Sequence, residues 1–327
     1  MKICIQNDWD QIAKASAEGK DQVVLVYEGE YKRNDVICFS GLEPRKLYVI
    51  GIDAAIPESC VYVTADQFRF VIPFDQHKTS YNPVSFAGCR HYVYIRHASE
   101  EEAKRYRNLA VNPMDQHEET AYDGSTASHN TQVVGGIGTR SGEGTGAGGS
   151  IVRCETHVFP HASANVETRD EAVFQARNAI DGYLASCGHG EWPYASWGIN
   201  RQADAAFTLD FGRPVDFDEM RLYTRSDFPH DSWWISADLV LSDGSRRTLS
   251  MDKKTGEPHI FRDMKAEKIT WLRLENLVKA EDPSPFPALT QIEVYGKDSE
   301  PTQADEKQCE DLYENRKSTP DNGGGLP

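Results

Sequence analysis

Four of the six tryptophans fall between Trp192 and Trp234, interleaved with charges. The chain reads Gly190-Glu191-Trp192-Pro193-Tyr194-Ala195-Ser196-Trp197, then Arg201, then Arg225 through His230, Asp231, Trp233 and Trp234. A tryptophan in a pure core has apolar neighbours, whereas these stand beside Pro, Gly, His, Arg and carboxylates in segments that read as loops. An indole face stacks on the C–H face of a pyranose, and Arg, Asp, Glu and His bond its hydroxyls. The candidate ligand-binding set is Trp192, Trp197, Arg201, Arg225, His230, Asp231, Trp233 and Trp234, with His189 and Glu191 as rim contacts. The partner this chemistry implies is a carbohydrate or glycan. In the competing reading Trp197 and one of Trp233 and Trp234 are buried residues of a sandwich. Pro285-Phe286-Pro287 either faces the site or forms a rigid loop before the last strand.

Other chemistries are open to the same residues. Glu191 and Asp231 are a carboxylate pair of the kind a glycosidase needs, at about 5–5.5 Å for retention or 6.5–9.5 Å for inversion. They are the catalytic candidates of the alternative reading, a glycan-active hydrolase. Cys154, His157 and His161 are spaced Cys-x2-His-x3-His, and Cys187 with His189 could complete a zinc shell. Gly144-Thr145-Gly146-Ala147-Gly148-Gly149 matches a dinucleotide fingerprint by letters alone, since no strand leads into it and no helix follows. No Gly-x-Ser-x-Gly elbow and no His-Glu-x-x-His helix occurs in the chain.

The elements that must position these residues are strands. Asn7 or Asp8 reads as the cap of a short opening helix with Trp9, Ile12, Ala13 and Ala17 as its stripe and Gly19 as its stop. Short strand patterns follow at 23–27, 36–39, 47–52, 60–64, 68–72 and 92–95, which suggests a small β-sandwich over 1–114. Ser99 and Glu102 form a capping box, predicting a helix towards Asn108. The stretch 115–153 is Gly-rich and reads as a flexible loop or linker. Strand patterns resume at 206–211, 219–224, 235–241, 268–274 and 291–295, with Ser242-Asp243-Gly244-Ser245 as a hairpin turn. Phe207, Leu209 and Phe211 alternate, as do Ile235, Ala237, Leu239 and Leu241. The expected architecture is all-β, a jelly roll over 154–296 behind the smaller sandwich, with an acidic disordered tail over 297–327.

Within the second domain, Asn178-Ala179-Ile180-Asp181-Gly182, a Trp shortly after it, Phe207-Thr208-Leu209-Asp210-Phe211-Gly212 and Gln291-Ile292-Glu293-Val294-Tyr295-Gly296 follow one another in order. Together they resemble the discoidin, or coagulation factor 5/8 type C, domain, whose fold bacterial family 32 carbohydrate-binding modules share. The resemblance covers about 159–296 and implies a galactose-binding-like jelly roll. It implies non-catalytic carbohydrate binding, or a protein-interaction module, since discoidin folds also bind proteins and lipid headgroups. It also implies a structural calcium held by Asp181 and Glu293, with Asn178 contributing through its backbone; a hard cation of this kind wants several oxygens. After Gly182 the chain departs from the family pattern, because Tyr183-Leu184-Ala185-Ser186 stands where further oxygen donors are common.

A net charge of −16 over 327 residues argues against nucleic acid and anionic membrane surfaces. No apolar run is long enough to span a bilayer. Seven scattered cysteines suit reduced thiols, and the first eight residues lack the apolar core of a leader. The expected location is cytoplasmic, or extracellular if a leader has been removed.

Overall fold

The computed structural model describes residues 1–116, 157–226 and 231–300. Those residues form an all-β chain of two sandwiches, as the patterns predicted. In the first, a sheet ordered Ala13–Glu18, Lys2–Asn7, Asp35–Ser40, Gln67–Val71 faces a second ordered Val158–Phe159, Ser59–Val63, Lys46–Gly51, Arg90–His97, Gln22–Glu28. Alternation decides which side chains go between them. Val23, Leu25 and Tyr27 point inward from one strand, while Ile3, Ile5, Ile37, Phe39 and Ile95 fill the core.

The second sandwich is a jelly roll built around three long strands. Phe207–Thr224 has 18 residues, Ala266–Lys279 has 14 and Phe286–Asp298 has 13. The middle of the path runs Trp197–Gly198, Phe286–Asp298, Phe207–Thr224, Ala266–Lys279, Trp234–Leu241, Arg246–Ser250. The predicted strands 206–211 and 219–224 are thus two ends of one strand, bent by irregularities between Asp210 and Phe217. Gly244 at φ +84° and the bond from the Ser245 amide to Asp243 Oδ1 make the predicted hairpin turn.

Three local expectations are corrected. Residues 7–19 are not a helix; Lys2–Asn7 and Ala13–Glu18 pair antiparallel, Ile3 opposite Ala17 and Ile5 opposite Ala15. Asn7 Oδ1 does accept the Trp9 amide, yet it starts a turn rather than a helix. The proposed stripe is not one face: Ala17 packs against the first core, while Trp9 is 83% exposed at the turn. The capping box at Ser99 and Glu102 is present in both halves. Its helix stops at Lys104, because Arg107–Asn108 pairs with Gly296 and Tyr295 instead. On the strand Trp234–Leu241, Ala237, Leu239 and Leu241 are buried, but Ile235 is 46% exposed. Register shifts on either side of Ser236 turn Trp234 inward in its place.

The two sandwiches are interlocked. Arg107–Asn108 adds to the second sandwich, and Leu109 and Ala110 sit in its core. Met114 returns to the first core, and Val158–Phe159 pairs with Val63 and Tyr62 of the first sandwich. From His161 the chain is in the second, paired with Asp210. Of the expected linker 115–153 and tail 297–327, residues 117–153 and 301–327 lie outside the described residues; Asp115 is buried and accepts the Ala162 amide, and the strand Phe286–Asp298 runs into the expected tail.

Candidate functional site

One end of the second sandwich carries a shallow cleft of about 90 Å³. Three loops and a strand end build it: Thr168 and Arg169, Gly198 to Arg201, Pro285 to Ala288, and Arg225, with Phe174 and His189 beside them. The floor is set by Trp197–Gly198, which pairs with Leu289 and Ala288. Gly198 is required there, because a Cβ would stand 2.7 Å from Thr168 Oγ1 and 3.4 Å from Phe174 Cβ. Thr168 Oγ1 in turn accepts the Asn200 amide at 2.9 Å, tying two of the loops together. Arg169, Asn200 and Arg201 have φ of 54°, 46° and 60°. This left-handed backbone is uncommon for such residues and is held by the loop contacts around it.

Guanidinium groups and rings alternate around the cleft. Arg201 lies over the Phe286 ring, 4.6 Å from its centroid. Arg225 lies 5.8 Å and Arg169 5.6 Å from the Phe174 centroid. Arg225 is 4% exposed, and its Nη1 donates to Ser196 Oγ at 3.1 Å while its amide donates to Ala288 O at 3.0 Å. Arg169 is bound bidentately by Glu171 at 2.6 and 2.8 Å. That bond holds the Glu171 carboxyl below its usual range. Arg201 is exposed, and among the described residues its guanidinium makes no ion pair. Ile199, Pro285 and Pro287 supply apolar surface between the charges.

The structure brings together part of the predicted set. Arg201, Arg225, His189 and the Pro285-Phe286-Pro287 loop all line the cleft. None of the four tryptophans does. Trp197 is fully buried; its Nε1–H donates to Val166 O at 3.0 Å and its ring packs 5.4 Å from Phe207. Trp234 is 3% exposed and lies 6.2 Å from Trp197. Both are sealed core residues, because each occupies an inward register position on a strand. Trp192 is half-buried and meets Tyr183 edge-on at 5.5 Å, and its amide donates to Thr79 O of the first sandwich. Trp233 is half-buried under Lys253, whose Nζ is 5.1 Å from the ring centroid.

Glu191 is exposed and outside the cleft lining. Asp231 is described by its backbone, which pairs in parallel with Phe286 at the cleft edge. His230 lies outside the described residues. Phe174, Thr168, Arg169 and Asn200 were missed. The faint signal for the first three is a polar Thr168-Arg169-Asp170-Glu171 run directly before Val173-Phe174, which places a cation near an aromatic ring.

The calcium donors meet other partners. Asp181 is a buried turn carboxylate whose Oδ1 accepts the Tyr183 amide at 2.9 Å; burial pushes its pKa up to about 7. Asn178 Oδ1 accepts from Arg177 Nη1 at 3.1 Å, and its Nδ2 donates to Ala172 O. Glu293 accepts from Tyr223 Oη at 3.2 Å and lies 3.7 Å from Arg221 Nη1 on the neighbouring strand. A donor set flanked by two guanidiniums does not fit a hard dication that needs six to eight oxygens. The zinc spacing is also dispersed. Cys154 lies outside the described residues, His161 Nδ1 is 2.7 Å from Asp115 Oδ1, and His189 is at the cleft. Among the described residues no three His, Cys, Asp or Glu side chains form a metal-sized group.

No protein-family model matches the chain, and no curated protein sequence matches it. Solved structures do align with it. A chitosan-binding module of a chitosanase/glucanase from Paenibacillus sp. IK-5 covers 42% of this chain and 95% of its own, at 17% identity and a TM-score of 0.30. The lectin domain of lectinolysin, complexed with Lewis B antigen, covers 42% of this chain and 93% of its own, at 17% identity and a TM-score of 0.33. The family 32 module of NanJ from C. perfringens, in complex with galactose, covers 41% and 91%, at 13% identity and a TM-score of 0.31.

Proposed function

We propose that the protein binds carbohydrate without turning it over, at the arginine-lined cleft of the second sandwich. One observation carries the reading: Arg201 lies over the Phe286 ring at the mouth of a cleft whose walls also hold Arg225 and Arg169. A guanidinium is a planar fork of donors, suited to two adjacent ligand oxygens at once. Rings that restrain these forks lower the entropy cost of ordering them on a ligand. Ile199, Pro285 and Pro287 offer apolar contact to the C–H groups of a sugar ring. Trp197 and Trp234, expected as stacking platforms, are sealed in the core, while Trp192 and Trp233 stay half-buried outside the cleft lining. The hydrolase reading has no such support, since Glu191 stands apart from the cleft.

A glycan array probed with the full chain tests the reading. Binding that Arg201→Ala weakens and Trp233→Ala leaves intact supports it. Binding lost in Trp233→Ala but kept in Arg201→Ala would move the site away from the cleft. An array without hits rejects carbohydrate as the ligand class.

A further inference from the structure

We infer that the cleft selects acidic saccharides, bearing a carboxylate or sulfate, over their neutral counterparts; this rests on the carbohydrate reading above. The observation is the chemical bias of the lining. Its residues include Arg169, Arg201 and Arg225, and among the described residues no Asp or Glu lines it. Glu171 is engaged by Arg169 in a bidentate pair. A chain of net charge −16 has therefore gathered three guanidiniums around one small cleft.

A neutral sugar hydroxyl both donates and accepts, so a site built for it usually needs acceptors as well as donors. Here the fixed side-chain groups are mostly donors. Arg201 has its guanidinium presented at the mouth, with the Phe286 ring behind it and no carboxylate partner among the described residues. Thr168 Oγ1, one of the few hydroxyls, already receives the Asn200 amide. Arg225 is held in the wall by Ser196 and by the Phe174 ring. A ligand that brings an acceptor-only group matches this set. Carboxylate and sulfate oxygens take the fork in bidentate fashion, and such charge-assisted bonds are stronger than those to hydroxyls. The rings behind the guanidiniums keep water from one side of each charge, which lessens screening.

The probe is an array of matched pairs: uronate and neutral hexose oligomers, sialylated and asialo glycans, sulfated and unsulfated chains. Hits concentrated in the acidic member of a pair support the inference. Arg201→Gln, which keeps a polar side chain but removes the charge and the fork, is expected to weaken those hits about ten-fold. Neutral ligands, which lose only bonds to hydroxyls, are expected to weaken by a smaller factor. Affinity for acidic members should also fall as salt rises from 0.05 to about 0.5 M. Equal binding to both members of the pairs would overturn the acidic preference and leave carbohydrate binding standing. A silent array would remove both together, and hits indifferent to Arg201→Gln and to salt would overturn the role given to the guanidinium.

Discussion

Arg177 of the second sandwich lies over Tyr81 of the first, 4.3 Å from the ring centroid. The same guanidinium donates to Asp115 O at 2.5 Å, Ser80 Oγ at 3.2 Å, Pro113 O at 3.3 Å and Asn178 Oδ1 at 3.1 Å. One buried cation thus satisfies oxygens from three segments and joins the two modules. The interlocked strands around it give the cleft a rigid base, since the segment 172–180 carries both Arg177 and Phe174.

Arg177→Met keeps the stem and removes the fork. It leaves up to four oxygens without their donor, which should cost about 3 kcal/mol of stability. Urea unfolding followed by tryptophan fluorescence checks this. A loss under about 0.5 kcal/mol would mean the two modules do not depend on the clamp.

Stability should fall as pH rises through neutrality, in part because of Asp181. Its folded pKa is about 7, above the ordinary aspartate value of 3.8, raised by burial. The fold therefore favours the protonated acid. This contribution is fully present below about pH 4 and is lost as pH rises through 7, with a slope of at most about 1.4 kcal/mol per pH unit. Asp181→Asn mimics the neutral form. The difference in Tm between pH 5 and pH 8 should shrink in that variant; an unchanged difference would assign the titration elsewhere.

Trp197→Ala and Trp233→Ala should differ sharply. The first empties a fully buried site between Phe207 and Trp234 and should cost about 3–5 kcal/mol. The second removes a half-buried ring under Lys253 and should cost about 1 kcal/mol. Similar costs from the two would contradict the burial described for the two rings.

Gly198→Ala places a methyl 2.7 Å from Thr168 Oγ1. Thr168 must move, and with it the bond to Asn200 that ties the loops of the cleft. A moderate stability loss of about 1–2 kcal/mol, together with loss of glycan binding, is expected. Full binding by this variant would show that the Thr168–Asn200 tie does not shape the site.

Calcium should leave Tm unchanged, with chelator or with excess ion. A functional site filled a hundred-fold above its dissociation constant would add about 2.7 kcal/mol. A rise of several degrees would mean that Asp181 and Glu293 release their present partners to bind the ion.

Most strands were legible in the residue pattern, although Ala13–Glu18 was not. Alternation at Val23, Leu25 and Tyr27, or at Phe207, Leu209 and Phe211, forces a two-sided ribbon with one buried face, and that period is written locally. The capping box at Ser99 and the turn at Asp243-Gly244 are local for the same reason. The site was legible only in part. Arg201 and Arg225 were visible because a cation amid aromatics in a loop is a local signal. Phe174 and Thr168 were not, since they reach the cleft only after the sheet brings Trp197–Gly198 against Ala288 and Leu289.

Tertiary structure alone decided which aromatic rings face solvent. A bulge beside Ser236 sends Trp234 inward and Ile235 outward, and a one-residue shift of register exchanges the two faces of a strand. It also decided that residues 13–18 pair with Lys2–Asn7 instead of winding into a helix, because Ile3 and Ile5 offered a partner surface that the isolated segment lacked. Buried area comes from contacts between distant segments, and the gain from that burial outweighs local preference wherever the two disagree.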